Sequence, residues 1–158
     1  MRDKRFVAAH RGGPLTKEEH RALMLWAIAC AERVLPLYTG TGKTVLEEVL
    51  RTARAWGRGK VTTGEAMRAS LKAHAVARAD ADAVSVSVAR AIGQGVATAH
   101  MADHSMGAAL YALQAVNRAG KSVEKEKAWQ HEKLKKLPAH IVQLITESMA
   151  QKALSFKI

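Results

Sequence analysis

Thr16-Lys-Glu-Glu-His-Arg-Ala-Leu-Met-Leu-Trp-Ala-Ile-Ala-Cys-Ala-Glu-Arg-Val-Leu35 is the stretch that decides the fold class. Thr16 and Glu19 stand three apart, the spacing at which each side chain closes the other's backbone amide at a helix start. After them Leu23, Trp26, Ala27, Cys30, Ala31 and Val34 recur every three or four residues, which is one face of an α-helix. Pro36 ends it. Leu25, Ile28 and Leu35 add apolar surface on another side, so this helix is expected to be central and wrapped by others, with Cys30 a core group and not a reagent.

The same periodicity continues outward. Leu46, Val49, Leu50, Ala53 and Trp56 mark a second helix, stopped at Gly57-Arg-Gly59. Thr62 and Glu65 cap a third, whose inward face is expected to be Met67, Leu71, His74, Ala75 and Arg78. Asp80 or Asp82 begins a fourth through Val84, Val88, Ala91 and Ile92. No proline interrupts residues 82–119, and a break or kink near residues 100–104 is expected to separate the fourth helix from a fifth ending at Gly120. Ser122 caps a sixth through Lys136, and Pro138 opens a seventh bearing Ile141, Leu144, Ile145, Ser148 and Met149 on one face. The reading is all-α: residues 1–158 form one domain, an antiparallel bundle of about six to seven helices. An extended N-terminal segment over residues 1–15 and an interhelical loop over residues 37–44 complete it.

Composition agrees. Alanine fills 30 of 158 positions while proline numbers three and aromatics make up 4%, a balance that favours closely packed helices over strands. A single cysteine excludes an intramolecular disulfide and a cysteine-based zinc site, so the fold rests on packing and no cofactor is implied. Lys and Arg exceed Asp and Glu, 25 to 14, leaving +11, which would draw anionic partners. The basic residues are scattered, however, and Lys121 to Lys136 alternate with Glu124, Glu126 and Glu132, the pattern of a solvated helix face. No membrane-spanning run and no signal-peptide core follow Met1-Arg-Asp-Lys-Arg5, so a cytoplasmic protein is expected.

Three constellations could carry chemistry. Gly42-Lys43-Thr44 ends like a phosphate-binding loop, but Leu37 stands where the first glycine belongs and helical periodicity precedes it, so a flexible turn is expected. His100, Asp103 and His104 would share one face of a continuous helix and could hold zinc with His74, Glu65 or His10. Ala89, Gly93, Val96 and Ala97 before them, with Gly107 after, instead suggest a seam between close helices, with the imidazoles hydrogen-bonded inside and Asp103 capping or fixing a tautomer. His10-Arg11-Gly12-Gly13-Pro14 could present bare glycine amides beside Arg11 to an anion, or simply turn the chain. Trp26, Trp56 and Trp129 read as core anchors, with Trp129 the candidate for a partner-facing contact.

Taken in order, His10-Arg-Gly-Gly-Pro-Leu-Thr16, Leu25-Trp-Ala-Ile-Ala-Cys-Ala-Glu-Arg-Val-Leu35, Ala53-Arg-Ala-Trp56, Lys72-Ala-His74, Val96-Ala-Thr-Ala-His-Met-Ala-Asp-His104 and Gly107-Ala-Ala-Leu-Tyr-Ala-Leu113 resemble a bacterial family described as putative immunity proteins, over about residues 5–145. The resemblance implies an all-helical, non-enzymatic protein that neutralises a cognate toxin by stoichiometric protein–protein binding. It carries over no catalytic residues. In place of the acidic, arginine-rich turn expected after the first helix, this chain has Thr39-Gly-Thr-Gly-Lys-Thr44. Its charge also differs from that of inhibitors that mask basic nuclease sites, so an acidic toxin face or a locally acidic or apolar contact is implied. Two other readings stand beside this one: a metal-dependent enzyme using His100, Asp103, His104 and His74, and a basic nucleic-acid-binding helical protein.

Overall fold

The helix starts follow the capping residues. In the computed structural model, which describes residues 2–158, Thr16 accepts a hydrogen bond from the Glu19 amide at 3.1 Å, while the Glu19 carboxylate accepts one from the Thr16 amide at 3.1 Å. That box opens α1, Lys17–Arg33. The same box at Thr62 and Glu65 opens α3, Thr63–Ala79. Asp82 caps α4, Ala83–Ala97, by accepting from the Ser85 amide at 2.8 Å, and Ser122 caps α6, Val123–Leu134. The remaining helices among the described residues are α2, Lys43–Gly57, α5, His104–Arg118, and α7, Ala139–Phe156. The break expected near residues 100–104 is present as a tight reversal: α4 ends at Ala97 and α5 begins at His104. Short connections turn consecutive helices back on one another, and the result is an all-α helical bundle.

Two apolar cores share α1 and α5. Met24, Ile28 and Ala31 of α1, with Val34 at its C-cap, join α2, α3, α4 and Ala112, Ala115 and Val116 of α5. Leu23, Trp26 and Cys30 of α1 face the other way, toward Phe6, Met106, Ala109, Leu134 and the Ile141, Leu144 and Ile145 stripe of α7. Thus α1 is enclosed on two sides as expected, but Leu25 is 46% exposed and leaves a third side open. The most enclosed element is α4, with ten of fifteen residues buried, because its Ala, Ser and Gly positions let α3 and α5 approach on both sides.

The inward face of α3 differs from the expected one. Ala66, Ala69, Ser70, Ala73 and Ala77 turn inward, whereas Leu71 is 66% exposed and Ala75 and Arg78 face solvent. The reason is close approach: Ser70 Oγ donates to the Gly93 carbonyl of α4 at 3.0 Å, a separation that bulky side chains on this face would prevent. Accordingly, Ala73→Leu should cost about 1–3 kcal/mol, while Leu71→Ser should stay within about 0.5 kcal/mol of the parent. Urea denaturation midpoints measure both.

The N-terminal segment expected to be extended over residues 1–15 is coiled instead, Met1 lying outside the described residues. Lys4–Phe6 and Ala9–Arg11 each form one 3-10 turn, Phe6 is buried, and Ala8 bridges Leu15. Within the loop expected at residues 37–44, Leu35–Leu37 make a third such turn and α2 already starts at Lys43.

Candidate functional site

The histidines flagged in the sequence are distributed along the α3–α4–α5 seam and do not converge. Because residues 98–103 reverse the chain, His100 lies on the turn and His104 on the first turn of α5, so they no longer share a helix face. His104 Nδ1 lies 2.8 Å from the Gln94 amide oxygen, an acceptor, which places the ring proton on Nδ1. His74 Nδ1 lies 3.2 Å from an Arg90 guanidinium nitrogen, which only donates, so its proton sits on Nε2. Asp103 occupies the N-cap position of α5 without capping it; one oxygen is 3.7 Å from Arg2 Nε and the other, buried, has no partner among the described residues. Among the described residues no three His, Cys, Asp or Glu side chains come together at a spacing that would hold an ion.

Glycines accommodate these side chains. A methyl group on Gly93 would come within 2.7–2.9 Å of the His74 ring, and one on Gly107 would meet the Gln94 amide at 2.6 Å. The seam read from the small residues is thus real, but its glycines receive side chains of the neighbouring helices and not bare helix backbones. Asp103 and His104 also edge an open groove of 610 Å³ between α5 and the end of α7, with Arg2 and Lys152 along it.

A buried histidine that the sequence reading passed over ties this seam to α1. His20 donates from Nε2 to the Thr98 carbonyl at 2.5 Å, and its ring meets Trp56 edge-on at 4.9 Å. Burial is the main cause that lowers the proton affinity of His20, His74 and His104 alike; His10 and Arg11 add repulsion at His20, and Arg90 and Arg78 at His74. Asp103 partly opposes the shift at His104. With the folded pKa below the unfolded value of about 6.5, the unfolded chain binds more protons in that window. Stability should be fully present above pH ~6.5 and fall as pH drops, by at most about 1.4 kcal/mol per pH unit for each group. His20, the most buried, should contribute most. Urea midpoints at pH 7.5 and 5.5 should separate, and His20→Gln should reduce that separation; an unchanged midpoint would contradict the neutral assignment.

The other flagged segments are occupied internally. Gly12 and Gly13 donate their amides to the Ala9 and Ala8 carbonyls at 2.9 and 3.0 Å, so the segment turns the chain and these amides are not bare. Gly12 has φ +81°, and a methyl on Gly13 would overlap the Val7 carbonyl. Arg11 reaches Met101 Sδ at 3.7 Å while His10 stays exposed. The Thr39–Thr44 loop, expected to be flexible, is pinned: Tyr38 Oη accepts from the Gly42 amide at 2.9 Å and donates to Asp80 at 3.2 Å. That amide is not free to cradle a phosphate. Cys30 is fully buried, and burial pushes its thiol well above the ordinary range.

Trp26 is a core anchor, whereas Trp129 is half-buried. The Arg33 guanidinium stacks 4.4 Å above the Trp129 ring and bonds both oxygens of the nearly buried Glu126 at 3.0 Å. Lys133 lies on the ring at 5.6 Å.

The family model described as Imm-5 like putative immunity protein matches residues 13–137. The chain belongs to this family. The match takes in α1 to α6, hence His74, His100, Asp103, His104 and Trp129 of this Imm-5-like protein, and excludes His10, Arg11 and Gly12 as well as α7. Comparison with curated proteins and with solved structures gave no match. Among the described residues no helix is long and apolar enough to cross a membrane.

Proposed function

We propose that this chain is a cytoplasmic immunity protein that neutralises a cognate toxin by stoichiometric protein–protein binding and performs no chemistry itself. The observation that carries the reading is the family match over residues 13–137. The local geometry supports it: Gln94 and Arg90 hold the rings of His104 and His74, and Cys30 is closed off from substrate and solvent. Inhibition by binding needs a rigid scaffold and a few anchors more than it needs a reactive group.

The toxin's contact face should be acidic, since the inhibitor carries +11. Trp129, flanked by Arg33 and Lys133, has the aromatic and arginine composition of an interface hot spot and is the anchor we assign to it. Mixing the purified chain with its cognate toxin should give a 1:1 complex in analytical ultracentrifugation, and Trp129→Ala should weaken it by tenfold or more, about 1.4 kcal/mol. Absence of a complex contradicts the proposal. Retention of nucleic acid at low ionic strength, lost steeply with salt, would instead favour the basic-binder reading.

A further inference from the structure

A cleft of 550 Å³ opens where the N-terminal turn, the start of α1 and the α2–α3 junction meet. It lies apart from the His74–His104 seam and from Trp129. Lys17 and Arg21, one helical turn apart on α1, line it with His10, and none of the three forms an ion pair among the described residues. Glu19 and Glu65, which open α1 and α3, have their carboxylates held by the capping boxes. The cations on the cleft wall are therefore unpaired, while the starts of α1 and α3 that reach it at Lys17 and Thr63 are already complemented by their capping carboxylates.

His20 supplies the specific element. It is 5% exposed, and its Nε2–H is committed to the Thr98 carbonyl, so Nδ1 keeps its lone pair. No group among the described residues hydrogen-bonds that nitrogen, and the ring lines the cleft. A ligand that satisfies all these groups must offer anionic oxygens to Lys17 and Arg21 and an O–H donor to His20 Nδ1. A monoprotonated phosphate has both; a carboxylate ion has only the first, and chloride has neither. The volume exceeds that of inorganic phosphate and leaves room for the body of a small phosphomonoester against Leu15 and Trp56.

We infer that this cleft is a binding site for a phosphate group, inorganic or at the end of a small phosphomonoester, held by Lys17, Arg21 and His20. The inference does not depend on the toxin-binding proposal. Trp56 is its reporter, because its indole N–H donates to Thr63 Oγ1 at 3.1 Å on the cleft wall.

The test is a titration of the full chain with inorganic phosphate near pH 6, where a phosphomonoester still carries its proton on about half of the molecules, at fixed ionic strength, followed by NMR of the indole N–H and histidine ring signals. Phosphate should shift Trp56 and His20 saturably and leave Trp26 and Trp129 in place. Acetate should saturate only at higher concentration. A phosphomonoester such as glycerol phosphate binding tighter than inorganic phosphate would identify the ligand's source as an ester, and the reverse order would identify the free ion. Arg21→Ala should lose about tenfold or more in affinity, the scale of one charge-assisted hydrogen bond. Lys17→Ala, a change at an exposed position, gives the same reading without risk to the fold. The inference is overturned by a response that chloride reproduces, by the lack of saturation, or by affinity that survives both substitutions.

Discussion

Trp26→Ala is expected to destabilise the protein by about 3–5 kcal/mol, the usual range for removing a buried tryptophan. Trp26 is 4% exposed in the second core, between α1 and α6, where it touches the layer formed by Cys30, Met106 and Leu134. Its indole N–H donates to the Gln130 carbonyl at 3.0 Å, and the Gln130 amide in turn donates to the Ala109 carbonyl at 3.0 Å. Truncation removes the ring and leaves the Gln130 carbonyl without its donor, so cavity and hydrogen-bond losses add. Trp26→Phe separates the two: it keeps most of the ring and should cost about 1–2 kcal/mol. Urea denaturation with unchanged m-values reads both differences. Against a typical total stability of about 5–15 kcal/mol, the alanine variant should be close to unfolding at 37 °C. A loss below about 1 kcal/mol would show that the second core does not hold α6 and α7 to α1.

Where side-chain chemistry acts locally, the sequence is readable directly. Thr16 with Glu19 and Thr62 with Glu65 mark helix starts because a capping box needs only residues three apart, and both boxes form. The apolar period of α1 is legible for the same reason, and all six of its marked positions are buried. The face of α3 was not. Leu71 and Met67 are larger than the alanines beside them, so a size-weighted period points the wrong way when close approach to α4 is what fixes the face. That approach depends on Gly93, a residue of another helix, and no local rule sees it.

The candidate site was legible in part for the same physical reason. His74, His100, Asp103 and His104 stand out by residue type, and the small residues around them correctly suggested a seam. Their partners are tertiary facts: Arg90 meets His74 where α3 packs on α4, Gln94 meets His104 through the reversal at residues 98–103, and Arg2 meets Asp103 through the docking of the N-terminal segment. The tie from Arg11 to Met101 likewise joins segments 90 residues apart. His20 was passed over because it looks like one more polar position on the outer side of α1. Its burial comes from Trp56 of α2 and from the chain reversal that brings the Thr98 carbonyl onto its ring, contacts between segments far apart in sequence.

If inhibition is by surface binding, the histidines of the α3–α5 seam should be dispensable for protection as long as the bundle folds. His74→Gln and His104→Gln keep a polar group at each position and remove any acid–base or metal-binding capacity. The effect on cells is close to all or none, because a toxin escapes neutralisation once the free inhibitor falls below its concentration. The most direct measurement is the growth of a bacterial host that makes the cognate toxin together with either the parent chain or the His74→Gln/His104→Gln variant, with folding of the variant checked by circular dichroism. Both chains should restore growth, and both should recover the toxin as a 1:1 complex. A folded double variant that fails to protect while the parent succeeds, or a parent that protects at far below equimolar amounts, would contradict binding as the mechanism and place the chemistry in the histidine seam.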